Sequence, residues 1–595
     1  MKVEDEICNL KPATCNLKPA TRNLQPETRR IMPIQITQPN KNIEIHLPND
    51  KTLSGPRGTQ VGEFLAQVSD DFSTPIVAAI INNQIHELTF PVEIESNCQP
   101  VTMDTADGAR IYRRSLVFLL EMAFIQLFPK GRLNIDHSIS SGGFYCEVTG
   151  RAALSQEELD SLKTHMQKLI LEDHPFIRRE VPIQEAIEHF QQRGYEDKLR
   201  LLKYRRKAYL TLYSFNGQMD YMHGYMVPSA GYLKWFDLKL VEGGFLTQFP
   251  RRHAPTQLEP MGNYPKLLST FRQYGDWLET LNIDNVGALN EAIAAGRADE
   301  IVLVSEALHE QHFADVAQQI VQKKSRIILI AGPTSSGKTT SSRRLAIQLL
   351  ARGISPYPLE LDNYFIDREK NPLDEKGKPD FETIEALNLT RLAEDLEKLI
   401  SGEKIQLPRF NFKTGRGEAG DVVQLKEGQP IILEGIHGMN PRLIPDRWSD
   451  SAFRIYVSAL TQLNLDRHNR VSTTDTRLIR RIVRDARERG YSAQATISRW
   501  ESVRRGEKRH IFPYQENADV MFNSALVFEL AALKGAAEPL LRQVPHNVPE
   551  YIEARRLLAF LEWFLPLDIN LIPANSIVRE FLGGSSLKDF KIWRG

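Results

Sequence analysis

The sequence predicts an α/β protein in which a parallel sheet is organised by a P-loop and preceded by two smaller α+β units. Three observations predict this. Residues 327–330 (Ile-Ile-Leu-Ile) form a short apolar run suited to a strand buried on both faces, and Gly332-Pro-Thr-Ser-Ser-Gly-Lys-Thr339 follows it directly. A second run, residues 431–433, ends in Glu434, as a neighbouring parallel strand ending at a ligand crevice would. Ahead of both, residues 42–101 move between period-two alternation and helical spacing, the mark of a small mixed unit.

The loop stretch fixes its own chemistry. Gly332 and Gly337 allow a turn tight enough for backbone N–H groups to converge on phosphate oxygens, with Pro333, Thr334, Ser335, Ser336 and Thr340 completing the ATP-binding segment. A helix opening at this point adds partial positive charge. Lys338 offers a full charge to the β- and γ-phosphates, and the Thr339 hydroxyl is a ligand for Mg²⁺. ATP and Mg²⁺ are therefore the expected cofactors.

Composition sets the bounds. A chain of 595 residues needs several cores, and 42% hydrophobic with 25% charged residues is ordinary for globular protein. A net charge of zero removes any whole-molecule field that would argue for nucleic acid or membrane. The cysteines Cys8, Cys15, Cys98 and Cys146 show no C-x-x-C spacing, which fits a reducing compartment. Residues 116–128 and 557–565 are the most apolar segments, but each is short and carries an acid, Glu121 or Glu562. The N-terminus lacks a basic-then-apolar leader pattern. A cytoplasmic protein without a membrane partner is expected.

In chain order, residues 1–31 hold a seven-residue repeat (Cys-Asn-Leu-Lys-Pro-Ala-Thr and variants), and a proline in every repeat forbids a continuous helix. A disordered tail is expected, with Met32 as an alternative start. In residues 32–103, Ile43, Ile45 and Leu47 alternate as in a strand, Val61, Phe64, Leu65 and Val68 have helical spacing, and residues 76–81 read as a further strand. This order is that of a β-grasp module and resembles the TGS domain of threonyl-tRNA synthetases. Residues 104–255 resemble that enzyme's editing domain: His137 to Tyr145 is similar to its Gly-Phe-Tyr strand, and Met222-His-Gly-Tyr-Met-Val-Pro-Ser-Ala-Gly231 to its Cys-x-Gly-x-His-Val-Pro segment. The four positions that the resemblance makes functional are here Arg114, Phe118, Met222 and Met226. Phe and Met neither carry protons nor serve as usual zinc ligands, so the editing-like domain is expected to be degenerate, without zinc or deacylation. Residues 256–322 read as a helical connector.

Within residues 323–545 the strand-end Asp362, the segment Pro379-Asp-Phe-Glu-Thr-Ile-Glu-Ala-Leu387, the pair Phe410 and Phe412, Glu434, and an arginine-dense helix over 475–490 follow the P-loop in order. This order resembles the uridine kinase and phosphoribulokinase family of P-loop kinases. The resemblance implies Asp362 as the base that accepts the acceptor's hydroxyl proton, although an Asp there can also simply cap the turn. It implies Glu434 as a second metal-site acid beside Thr339, and Glu385 as a ribose-binding carboxylate with Asp380 or Glu382 sharing that work. Phe410 and Phe412 are base-pocket or core aromatics. Arg477, Arg480, Arg484 and Arg487 share a helix face, with Arg481 beside them, and are expected to form a lid over ATP. Arg481 and Arg484 are the catalytic candidates there, and Arg481 and Arg489 are candidates for touching the acceptor. Two departures weaken pyrimidine recognition: the family's pocket His falls on Gly415, and an Arg falls on Tyr491. Residues 546–595 are expected to be a helical extension.

The expected function is an ATP-dependent nucleoside kinase with a small-molecule nucleoside acceptor. The alternative is an RNA-associated P-loop regulator that uses the synthetase-like front half. Self-association, RNA binding and the identity of the base do not follow from these residues.

Overall fold

The computed structural model describes residues 40–590 apart from residues 140, 374–376 and 378. The repeat tail at 1–31 lies outside the described residues. The first unit is a five-stranded mixed sheet in the order Thr52–Pro56, Asn42–His46, Ser96–Thr102, Ile76–Ile81, Gln84–His86. Asn42–His46 pairs in parallel with Ser96–Thr102, and the other pairs are antiparallel. Alternation puts Ile43 and Ile45 inward, where the helix Val61–Ala66 covers them with Val61, Phe64 and Leu65. The result is the β-grasp arrangement.

The second unit is organised by the helix Ala106–Leu127. It starts where the Thr105 side chain accepts the Gly108 N–H at 3.0 Å. The apolar segment at 116–128 is the buried end of this helix. A four-stranded sheet (Asp237–Val241, Gly244–Gln248, Gly143–Thr149, Arg132–Ile139) and a three-stranded sheet (Gln218–Tyr221, Tyr209–Phe215, Ile177–Pro182) complete the unit. Among the described residues, no helix is long and apolar enough to cross a membrane.

The front half is fixed to the remainder by buried polar groups. Lys198 Nζ lies 3.0 Å from Asp220 and 3.2 Å from Asp466, and His468 Nδ1 is 2.9 Å from Asp220. Glu121 joins this group, and burial beside Asp220 drives its carboxyl well above the usual range. Arg467 and Asp197 pair next to it. Such a network holds one relative placement because every misfit leaves a charge unpaired in the interior.

The helices Pro265–Thr280, Val286–Ala294 and Ala298–Lys323 share one apolar core with the parallel sheet. In that sheet we label the strands β1 (Ile327–Ala331), β2 (Tyr357–Glu360), β3 (Ile431–Glu434), β4 (Ala452–Ser458) and β5 (Val520–Asn523). Their order is β2-β3-β1-β4-β5, and all are parallel. Every residue of β1 is buried, as its unbroken apolar run requires. The helices are α1 (Lys338–Leu350), α2 (Thr473–Arg489) and α3 (Ala493–His510), with α1 leaving directly from the P-loop.

Candidate active site

The site lies beyond the C-terminal ends of β1, β2 and β3, where open α/β sheets present their ligand crevice. The P-loop between β1 and α1 depends on backbone freedom at two glycines. Gly332 has φ 154°, and a Cβ there would lie 1.9 Å from the Val457 carbonyl oxygen; Gly337 has φ 88°. Among the described residues, the hydrogen bond of Lys338 Nζ is a long one to the Pro333 carbonyl, at 3.4 Å. The Thr339 hydroxyl donates to Glu434 Oε2 at 3.1 Å, so an oxygen from the first turn of α1 and one from the end of β3 stand together. This is a hard-oxygen donor set suited to Mg²⁺. Burial pushes the Glu434 carboxyl up to about 7, with Asp362, Glu360 and Glu580 adding to the effect and Lys338 opposing it.

Asp362 follows β2 and is exposed to the crevice. The surrounding protein raises its carboxyl above the ordinary range, while Lys338 and Arg489 pull it back. Asp362, Lys338, Glu434 and Arg489 thus share one field, and the fold gathers them from four segments. Glu382 belongs with them: burial, then Glu507, push it up to about 7 against Arg481 and Lys338. Glu385 faces elsewhere. Its carboxylate is exposed, accepts from Arg442 at 2.6 Å and from the Thr383 hydroxyl, and is held down at about 2. Of the acids in this segment, Glu382 is buried in the field of Arg481 and Lys338, whereas Glu385, in the short 3-10 turn Ile384–Ala386, is exposed and paired with Arg442.

Phe410 and Phe412 meet at 5.1 Å between ring centroids, with Phe365 at 5.6 and 6.3 Å from them. Phe410 is buried, whereas Phe412 is 58% exposed and Phe381 39% exposed. This divides the pair: Phe410 anchors the wall and Phe412 presents a free face. Gly415 has φ 73°, and a Cβ there would come within 2.9 Å of the Arg368 guanidinium, so a histidine would strain the backbone and displace that side chain. Tyr491 is covered instead by Arg499, 4.5 Å from its ring.

The arginine stripe on α2 corrects the expected lid. Arg477 and Arg480 are buried and pair with the buried acids Glu507 and Glu529. Arg477 Nε also donates to the Thr334 carbonyl at 2.9 Å, and Arg480 to the Ser335 carbonyl at 3.3 Å, so both brace the P-loop from behind. Arg487 donates to the carbonyls of Phe581 and Glu580 at 2.7 and 2.8 Å. The residues that remain for the crevice are Arg481, Arg484 and Arg489, all gathered around the buried Asp485 carboxylate at 3.2, 3.0 and 3.3 Å. Sequence spacing reported one face of a helix but not which partner that face meets.

A contact with no signal in the sequence comes from the C-terminal extension. Glu580 accepts the Thr340 hydroxyl at 2.7 Å and the Thr340 N–H at 3.3 Å, and Ile577 lies against Gly337. An acid of the same chain therefore engages part of the P-loop's own donor set. The four editing-like positions are likewise placed: Phe118, Met222 and Met226 are buried, and Arg114 donates to the Tyr225 carbonyl at 2.6 Å.

Sheet order, loop and strand-end acids together define a P-loop kinase fold. Residues 327–530 match the model of the Phosphoribulokinase / Uridine kinase family. The chain is also 29% identical over 203 residues to a threonine–tRNA ligase of Streptococcus pyogenes serotype M5 (strain Manfredo), a match covering 34% of this chain and 31% of the ligase. The chain thus spans about a third of the length of the curated relatives it matches. Among solved structures, a possible uridine kinase from Bacillus stearothermophilus aligns at 18% identity over 36% of this chain and 98% of its own, with a TM-score of 0.24.

Proposed function

We propose that this chain is an ATP-dependent kinase that transfers the γ-phosphate to a hydroxyl of a nucleoside. The observation that carries the reading is the grouping of Asp362 with Lys338 beside a partly exposed aromatic wall, in which Phe412 meets Phe410 and Phe381 meets Phe365. A carboxylate raised above its ordinary range binds the proton it accepts more firmly. The aromatic faces suit a planar base, and the reading assigns Glu382 as the acceptor for a ribose hydroxyl.

The roles follow from placement. The backbone amides of the P-loop and Lys338 bind and orient the triphosphate, and Thr339 with Glu434 would hold Mg²⁺. When bound, Mg²⁺ supplies neutralisation of charge on the phosphoryl group. Asp362 takes the acceptor's hydroxyl proton as its oxygen bonds to phosphorus and the β,γ-bridging bond breaks. Arg481, Arg484 and Arg489, oriented by Asp485, direct positive charge at the migrating group. A screen of common nucleosides with ATP, read as ADP release, tests this. Stimulation by one or more nucleosides is expected. Stimulation by RNA with no response to any nucleoside would replace the reading with that of an RNA-dependent P-loop regulator.

A further inference from the structure

Away from the P-loop, a cavity of 680 Å³ lies between the editing-like unit and the kinase-like sheet. This volume suits a small molecule. Its lining is strongly cationic. Several of the basic groups are neutralised: Arg556 pairs with Asp475 and Glu553, Arg252 with Glu501, and Arg504 with Glu507. Four others form no such pair, although Asp136 and Asp475 offset part of the Arg470 charge and Glu501 part of the Lys508 charge. Among the described residues, no carboxylate lies within ion-pair distance of Arg113, Arg114, Arg470 or Lys508. Arg113 donates only to the Ala109 carbonyl, at 2.8 Å, and sits over the Phe249 ring. Arg470 donates to the Ser138 hydroxyl at 3.2 Å, and its buried Nε has no hydrogen-bond partner.

These side chains come from three separate stretches of the chain, so the cluster is a product of the fold. Burial and the neighbouring guanidinium groups hold Arg113 down at about 9, and burial holds Arg470 down at about 10. Burial and the nearby arginines Arg504, Arg251 and Arg252 hold Lys508 down at about 8. Like charges brought together in a partly apolar chamber destabilise the fold unless something offsets them. Natural chains retain that kind of strain where it serves a site.

We propose that this cavity is a second ligand site, distinct from the P-loop, which binds a small polyphosphorylated molecule. Phosphate oxygens match guanidinium donors in geometry and charge. The Phe249 and Phe560 walls accept an attached organic group. The phosphates have two sources, an inorganic polyphosphate or a nucleotide, and the two are separable.

The test titrates inorganic tripolyphosphate by calorimetry into the full chain, Arg113→Gln/Arg470→Gln and Lys338→Ala. The double variant is expected to lose one equivalent of tripolyphosphate that Lys338→Ala retains. Without the anion it should melt above the parent chain, because two mutually repelling charges are gone, and the anion should no longer raise its Tm. A merely structural pair of arginines would give the opposite shift. Should the double variant not fold, Lys508→Gln at the partly exposed rim decides, with an expected weakening of at least about fivefold. Equal binding by the parent and the folded double variant, a lower anion-free Tm, or unchanged binding by Lys508→Gln would each overturn the proposal. Competition by ATP for the equivalent retained in Lys338→Ala identifies the nucleotide as the source, and its absence identifies the inorganic anion.

Discussion

Glu580 accepts two hydrogen bonds from Thr340, the residue that follows the Lys338-Thr339 pair. A phosphate oxygen seeking the same N–H and hydroxyl must displace this carboxylate. Glu580→Gln keeps the shape and removes the charge. Charge-assisted hydrogen bonds contribute about 1.5–3 kcal/mol, against about 0.5–1.5 kcal/mol for neutral ones. A displaced carboxylate still lies near the triphosphate, where one unit charge at about 5 Å costs about 1–3 kcal/mol for an effective dielectric of about 20–80. Together these give a gain of about 2–4 kcal/mol, or roughly 30–900-fold tighter nucleotide binding. The assay is calorimetric titration of ATP with Mg²⁺ into both full-length chains, with Tm recorded alongside. The Arg487 contacts to the backbone carbonyls of Glu580 and Phe581 do not involve the side chain and should persist. Glu580 also lies at the N-terminal turn of α1, so losing its charge should lower the nucleotide-free Tm slightly. Affinity that stays equal or falls while Tm drops would refute competition and leave Glu580 as a helix cap.

Three further outcomes are expected. Asp362→Asn should lower nucleoside-dependent turnover by roughly 10²–10⁴-fold while ATP affinity is unchanged, as steady-state rates beside a binding titration would read; wild-type turnover removes Asp362 as the base. Glu434 is held up at about 7 against an ordinary 4.5, so its contribution to stability is present below pH 4.5 and lost as pH rises through about 7. Glu434→Gln should therefore stabilise the metal-free chain by about 1–3 kcal/mol at pH 8 and hardly at all at pH 5, measured as denaturation midpoints in EDTA. Lys198→Met leaves Asp220 and Asp466 buried without their cation and should cost about 3–5 kcal/mol of stability in urea unfolding; a loss below about 1 kcal/mol would show that the network is not what fixes the two halves.

Legibility in the sequence followed the range of the signal. The P-loop, β1 and the strand ends at Asp362 and Glu434 were readable because each is a local pattern whose chemistry is set within a few residues. The β-grasp sheet was readable because alternation at Ile43 and Ile45 reports a buried face directly. The α2 stripe misled for a physical reason. Arginines at helical spacing read the same whether they face solvent, ATP or buried acids, and Glu507 and Glu529 lie 30 and 49 residues away from their partners. The resemblance pointed to Glu385, with Asp380 or Glu382 sharing the work, and local sequence does not report that Glu382 is the buried carboxylate beside Arg481 and Lys338 while Glu385 is exposed beside Arg442. The Glu580 contact spans 240 residues and had no local trace.

The bracing of the P-loop has a consequence for how its amides meet phosphate. Glu507 Oε1 accepts the Thr334 N–H at 3.2 Å while Arg477 donates to the Thr334 carbonyl at 2.9 Å, so one buried ion pair holds both polar groups of a single loop residue. The Ser524 hydroxyl donates to the Ser336 carbonyl, and Arg480 reaches the Ser335 carbonyl. With the carbonyls of residues 334–336 tied down behind the loop, its shape is fixed; the Ser336 N–H donates to the Pro333 carbonyl at 3.2 Å and the Thr340 N–H to Glu580 at 3.3 Å. Electrostatic catalysis needs dipoles that are already oriented before charge develops. The arginines of α2 that do not face the reaction therefore act on it through the loop they hold. Removing either buried partner acid would free a guanidinium to compete for the phosphates, and loop geometry and charge would change together.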